Sequence, residues 1–353
     1  MFKRPFGGVF LYLMNSSPLS PYAQDRSGLV WAYRFNQAHQ GEVVSIAELE
    51  AVTQAAQSEH FEGFLWLHFN LSQASTEKWL RTHAALPQEF YEALHQGSRS
   101  TRIELADDAL IAVVNDVLHG FAFDPADIST LWLHVSPRLI ISARKKPLKS
   151  VDRLRHSVQH GALIQTPVEL LTHLLRDQAD ILIGIVRDAV SKVDVIEDDL
   201  LAGRLNYKRE NLGNLRRVLV RLQRLMAPEP AALFRLLQRP TSWMKEVDIQ
   251  DLRQSSEEFS AVLVDMASLQ ERIKLLQEEI AAMINEKNSR SLYILTIVTV
   301  LALPINIIAG LFGMNVGGIP FAEDAEGFWM VVSLVASLTV FLIWMLVRAN
   351  RDK

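Results

Sequence analysis

Two runs near the end of the chain, Leu292–Met314 and Phe328–Val347, contain no Asp, Glu, Lys or Arg. Each is about 20 residues long, enough to cross a hydrocarbon core of roughly 30 Å as a helix. A pair of uncharged runs this close together predicts two membrane spans. The competing reading, a helical hairpin buried in a large soluble core, is disfavoured because core helices normally keep a polar face. Between the runs lies a glycine-rich, acidic stretch, Gly313-Met314-Asn315-Val316-Gly317-Gly318-Ile319-Pro320 continuing to Glu323, Asp324 and Glu326.

Charge places the ends. Lys287 and Arg290 precede the first run, and Arg348, Arg351 and Lys353 follow the second, while the connecting stretch carries acids and no base. Positive charge on the cytoplasmic side therefore predicts a multi-pass protein with both termini cytoplasmic and the loop outside. The net charge of −4 gives no sign of nucleic-acid binding. Without cysteine there is no disulfide framework and no thiolate metal site. A basic, then apolar start from Met1 to Met14 faintly resembles a signal peptide; lacking a small-residue cleavage site, Phe6–Met14 is read as a first strand.

The rest of the chain divides at about residue 146. Before it, Leu29–Phe35, Gly63–Phe69, Ala109–Asn115, Leu131–Val135 and Leu139–Ser142 read as strands, and Ser45–Gln57 and Pro87–His95 as helices. The first helix carries Ser45 as its cap with Glu48 three residues later. This predicts an α/β cytoplasmic domain over 1–146. Over 147–240 strand signals cease: helices are expected from Pro167 through Val168–Leu201 and from Lys208 to Met226, with Pro228, Pro230 and Pro240 breaking the chain.

No Gly or Pro occurs from Thr241 to Leu303, which predicts a rod on the order of 90 Å if it is all helix. Within it Phe259, Val262, Met266, Leu269, Ile273, Leu276, Ile280 and Met283 keep an unbroken 3-4 spacing, the seam of a coiled-coil-like contact. The expected divisions are a stalk at 241–291, a first span at 292–314, an external loop at 315–326, a second span at 327–347 and a basic tail at 348–353.

Stepping back from Gly310 by helical spacing reaches Asn306, Leu303, Thr299, Thr296 and Leu292, with Leu295 beside them. One face thus gathers the first span's only amide before the loop and both its threonines. A polar stripe in a membrane is expensive facing lipid and is expected to face protein or water. Plain helix–helix hydrogen bonding explains such a stripe as well as a pore does. Two spans cannot enclose water alone, so a pore requires several copies. Pro304 is expected to distort the helix beside Asn306. The second span, with only Ser333, Ser337 and Thr339 as hydroxyl residues, reads as the lipid-facing helix.

Two C-terminal spans, a long helix entering the first, and Gly313-Met314-Asn315 at its outer end resemble the CorA superfamily of divalent metal-ion transporters. The likeness extends to Phe64-Leu65-Trp66-Leu67-His68-Phe69, Arg138–Arg144 and the acidic run Asp194–Asp199. Val316-Gly317-Gly318-Ile319-Pro320 resembles the zinc-transporting ZntB branch, whereas Met314 is the residue typical of the magnesium branch. The resemblance implies a funnel-shaped homopentamer in the bacterial inner membrane. Five first spans would surround a pore lined by Leu292, Leu295, Thr296, Thr299, Leu303, Asn306 and Gly310. Gly313, Met314 and Asn315 would form its mouth, and Glu323, Asp324 and Glu326 would gather cations there.

No resident cofactor is implied, and the expected cargo is Zn²⁺, with protons as a partner in proton-linked uptake. The rival reading is a Mg²⁺ channel that also passes Co²⁺ or Ni²⁺, and a third is a two-span membrane-anchored sensor. All ten histidines lie at or before His173, so the spans offer neither imidazole nor thiolate. Zinc would have to pass on oxygen ligands or hydrated, with modest selectivity. Asp194, Glu197, Asp198 and Asp199 are candidate cation ligands in the funnel, as are His68, His83, His95, His119 and His134. A solvated helix end and ordinary sheet histidines are the alternatives. With no phosphate-cradling G-x-x-x-x-G-K-[ST], no H-E-x-x-H and no nucleophile constellation, the chain is not expected to be an enzyme.

Overall fold

The structure, a computed structural model, describes residues 27–58, 60–96, 101–203, 209–314 and 326–351. The expected strand at Phe6–Met14 lies outside them. Among the described residues seven strands, β1 (Leu29–Phe35), β2 (Gly41–Val43), β3 (Phe64–Asn70), β4 (Arg102–Ala106), β5 (Ala109–Val117), β6 (Ile128–Val135) and β7 (Leu139–Arg144), form one sheet. Helices are α1 (Ile46–Ala55), α2 (Ser75–His83), α3 (Gln88–Gln96), α4 (Lys149–Gln159), α5 (Pro167–Leu201), α6 (Arg209–Met226), α7 (Pro228–Leu237), α8 (Glu246–Phe312) and α9 (Gly327–Arg351).

The sheet order is β2-β1-β3-β7-β6-β5-β4. Only β3 and β7 run parallel among the paired strands, with Leu65 opposite Leu139 and Phe69 opposite Ala143. Continuous apolar sequence explains why β3, β5, β6 and β7 sit at the centre: their side chains are buried to both sides. Helices supply the cover. Trp132 of β6 donates its indole N–H to Ala93 O of α3 at 3.0 Å, while Asp116, on the opposite face, reaches Ser150 of α4.

Two strands have no counterpart in the sequence expectation. The β4 sequence Arg-Ile-Glu-Leu-Ala is a short, half-exposed edge in which charged residues alternate with apolar ones. Its hairpin to β5 turns through Asp107 and Asp108, both at positive φ (48° and 62°), a two-residue reversal usually signalled by Asn-Gly. Gly63, ahead of β3, has φ +82° and a Cβ there would lie 1.8 Å from Phe35 O, so the position admits glycine alone.

Helix starts follow cap chemistry. Ser45 occupies the N-cap of α1 in extended conformation, but its side chain makes no capping hydrogen bond. Thr166 caps α5, accepting from Glu169 N at 3.0 Å, with Pro167 as the first helical residue. The break expected at Pro228 falls at Ala227, between the end of α6 at Met226 and the start of α7, and Pro228 and Pro230 lie in the first turn of α7, where a missing N–H costs nothing. Of the three prolines, Pro240 alone falls in irregular chain.

The chain divides into two compact units, Met1–Leu276 and Gln277–Lys353. In the first, the α8 seam from Phe259 to Leu276 is buried, Met266 and Ile273 completely. Gln270 donates to Gln223 of α6 at 2.9 Å and Arg272 reaches Asp194 of α5 at 2.6 Å, so the seam packs on those two helices. In the second unit the apolar stretches of α8 and α9 have mean hydropathies of 2.4 and 2.2 over their most apolar windows, and none of either window is buried. That exposure removes the buried-hairpin reading, because a core helix is mostly enclosed.

Candidate functional site

The terminal third of α8 is an unbroken helix, and at 3.6 residues per turn Leu292, Leu295, Thr296, Thr299, Leu303, Asn306 and Gly310 fall within an arc of about 100°. All seven are exposed. Thr296 Oγ1 donates to Leu292 O at 2.8 Å and Thr299 Oγ1 to Leu295 O at 2.9 Å. Each hydroxyl hydrogen is thereby used inside the helix, and the oxygen lone pairs are left to face outward as acceptors. Pro304 lies inside α8, where it has no N–H to return to the carbonyl of Val300. The arc therefore offers neutral oxygen acceptors, one amide and leucine side chains, with no ionisable group.

At its C-terminal end the helix closes with Gly313 N donating to Ala309 O at 2.9 Å. A Cβ on Gly313 would come within 2.8 Å of that same carbonyl, so this final turn is fitted to glycine. Met314 follows, half exposed. Asn315, Glu323 and Asp324 lie outside the described residues. Glu326 is exposed at the start of α9, its carbonyl accepting from Met330 N at 3.1 Å. Along α9, Phe328 and Trp329 mark one end and Phe341 and Trp344 the other, with the Arg348 guanidinium 5.4 Å from the Trp344 ring centre. From Trp329 to Trp344 is about 22 Å of helix, a spacing suited to the two aromatic girdles of a span.

The acidic candidates of α5 are divided by an arginine that the sequence reading did not connect to them. Arg272 of α8 bonds Asp194 at 2.6 Å and grips Glu197 in bidentate fashion, its Nε at 2.9 Å from one carboxylate oxygen. These two carboxylates hold Arg272 still more firmly protonated than usual. Asp198 is exposed and Asp199 half-buried nearby. Among the described residues no group of three or more His, Asp or Glu is arranged to hold a metal ion. The signal was present in sequence as a lone Arg beside the seam residue Ile273, but which acidic helix it would meet depended on packing.

The histidines are likewise not gathered. His68 is fully buried against Trp31, ring centres 4.0 Å apart and nearly parallel. Arg144 Nε donates to its Nε2 at 2.9 Å, which requires the ring proton on Nδ1, 2.7 Å from Ser142 Oγ. Trp66 Nε1 donates to the same hydroxyl at 2.9 Å, and Ser142 passes its own hydrogen to Leu67 O. Burial, with Arg144 and Arg155 near, holds His68 well below the usual histidine range. Both ring nitrogens are spoken for, so no lone pair remains for a metal. His134 is buried edge-on to Phe90 and burial lowers it to about 4. His83 and His95 face Glu50 and Glu77, and His119 faces Asp152, at 3.3, 3.5 and 3.3 Å.

Residues 61–348 match the model of the family described as CorA-like Mg2+ transporter protein. The divalent cation transporter CmaX of Pseudomonas aeruginosa is 30% identical over 332 residues, covering 92% of this chain and 97% of that protein. The chain belongs to the CorA-like family. A zinc transport protein ZntB of Yersinia pseudotuberculosis is 24% identical over 324 residues, 92% of this CorA-like chain and 96% of the relative. The solved structure of full-length CmaX superposes with a TM-score of 0.77 at 27% identity, covering 92% of this chain and 99% of that one. The α/β domain, the long helices and the two C-terminal apolar helices are therefore the family architecture, and the family is one of divalent-cation transporters.

Proposed function

We propose that this CorA-like chain is a homopentameric channel-type transporter of the bacterial inner membrane that moves hydrated divalent cations, with Zn²⁺ as its main cargo. The observation that carries the reading is the arc from Leu292 to Gly310: partly polar, unburied and free of ionisable groups on a span long enough to cross a membrane. Five copies turned inward would convert this arc into a pore wall and cover the surface a single chain leaves bare.

Oxygen dipoles decide how ions pass. Stripping a divalent ion of water costs far more than a few neutral acceptors return, so the Thr296, Thr299 and Asn306 rings would bond the hydration shell instead. Asn315 would meet the hydrated ion at the mouth, with Gly313 and Met314 shaping the exit. Glu323, Asp324 and Glu326, repeated around the axis, would raise the local cation concentration. Selectivity against Ni²⁺, Co²⁺ and Cd²⁺ would then be modest. The termini would lie on the cytoplasmic side, as the flanking bases require.

Zinc is favoured by the ZntB relative and by Val316-Gly317-Gly318. Magnesium is the second reading, favoured by Met314 and by the family as a whole. Proton linkage, if it accompanies zinc uptake, has no Asp, Glu or His on the pore arc to carry it. The deciding experiment is uptake into proteoliposomes with competing Zn²⁺ and Mg²⁺, with and without a pH gradient. Zn²⁺ entry that Mg²⁺ barely inhibits supports the reading; Mg²⁺ flux without Zn²⁺ flux rejects it. No flux of either ion, with no particle of fivefold symmetry by electron microscopy, would favour a membrane-anchored sensor.

A further inference from the structure

A second site lies wholly in the first compact unit. Glu229, in the first turn of α7, is fully buried. One carboxyl oxygen is 3.4 Å from Gln178 Nε2 of α5, and the other has no hydrogen-bond partner among the described residues. The same Gln178 nitrogen donates to Asn115 O of β5 at 2.6 Å. Asn115 continues the cluster: its amide nitrogen reaches Leu225 O at the end of α6 and Thr101 Oγ1, and its oxygen accepts from Thr130 of β6. Sheet, α5, α6 and α7 meet on this one set of polar groups.

Among the described residues no cation enters it. On β5 the neighbouring charge is Asp116, held by Ser150 N and Oγ and by Val117 N, and it acts on Glu229 with the same sign. On α5, Asp177 pairs with Arg153 of α4 at 2.8 Å. On β4, Arg102 and Glu104 face each other at 3.5 Å, and Arg221 and Arg224 of α6, Arg235 of α7 and Glu257 of α8 are exposed. An ionised Glu229 would thus be a buried charge with one weak amide contact, which is strongly unfavourable. Burial and Asp116 together push Glu229 up to about 8, against the lowering pull of Gln178.

We propose that Glu229 is a proton-binding site that fastens α7 to α5 and the sheet: neutral, it keeps the junction closed, and on losing its proton it opens the junction. The chain runs from α7 through Trp243, which donates its indole N–H to Asp108 O at 2.7 Å, into α8. Opening at α7 therefore frees the segment between α7 and Trp243 that leads into α8. The inference concerns the cytoplasmic unit and stands whichever ion is carried.

The test uses the full-length protein in lipid nanodiscs. Infrared difference spectra with ¹³C-labelled glutamate are expected to show a protonated glutamic acid carbonyl band that disappears with a midpoint near pH 8; Glu229→Gln lacks the band. Hydrogen exchange of α7, corrected for its intrinsic pH dependence, is expected to accelerate by about tenfold per pH unit at most as wild type deprotonates, and to stay level in Glu229→Gln. Absence of a titrating glutamate band in wild type overturns the proposal without any variant. Persistence of the band in Glu229→Gln, or equal α7 exchange profiles in the two proteins, overturns it as well.

Discussion

Asn306, Ser142 and His134 show three different meanings of a polar side chain in this protein. Asn306 is an exposed amide on an apolar helix, and the reading of α8 as a pore wall makes it part of the conducting surface. Asn306→Leu is expected to lower divalent-cation flux by roughly tenfold, equivalent to ~1.4 kcal/mol, while leaving the assembled particle intact. Flux unchanged in proteoliposomes would remove Asn306 from the path. Ser142 accepts from both Trp66 and His68. Ser142→Ala strands two buried donors, a loss of about 2–4 kcal/mol, readable as a lower midpoint in urea followed by tryptophan fluorescence. His134 is neutral because it is buried, and its folded pKa lies below the unfolded value. A depressed histidine contributes stability above its unfolded pKa of about 6.5 that is lost as pH falls towards 4. The stability of His134→Leu relative to wild type should therefore rise across that window, by at most ~1.4 kcal/mol per pH unit.

At the scale of elements, α8 is the member with two environments. Its 67 residues span about 100 Å, and its apolar positions change meaning along the way. From Phe259 to Leu276 the 3-4 seam is buried against α5 and α6, whereas from Leu292 the leucines are exposed. Met266→Ala is expected to cost about 2–5 kcal/mol and Val264→Ala, on the solvent face, under about 0.5 kcal/mol. Equal losses at both positions in chemical denaturation would mean the seam is misplaced. The Arg272 bridge to Asp194 and Glu197 is partly exposed, so its worth is that of a screened network rather than of a buried pair. Its clearer role is register: it fixes which turn of α8 meets which turn of α5. That register could not be read from sequence, because several arginines and acids had equivalent helical spacing.

For the whole molecule, two long apolar helices with none of their most apolar windows buried need lipid, further copies of the chain, or both. Native mass spectrometry of the detergent-solubilised protein is expected to give five copies, and a monomer that still carries flux would contradict the pore reading. What the sequence determined alone was whatever depends on local pattern. Runs without charge set the two spans, the 3-4 repeat set the seam, continuous β-branched and aromatic runs set the central strands, and Pro167 set a helix start. These signals are carried by neighbours in the chain, so periodicity suffices to find them. What only the tertiary structure decided was partnership over distance: β3 beside β7, Asp116 holding the start of α4, His68 closed between Arg144 and Ser142, and Glu229 buried with one carboxyl oxygen unpartnered among the described residues. The physical reason is that burial and electrostatics depend on which surfaces meet. A glutamate between two prolines looks like a solvated helix start until packing removes the water around it.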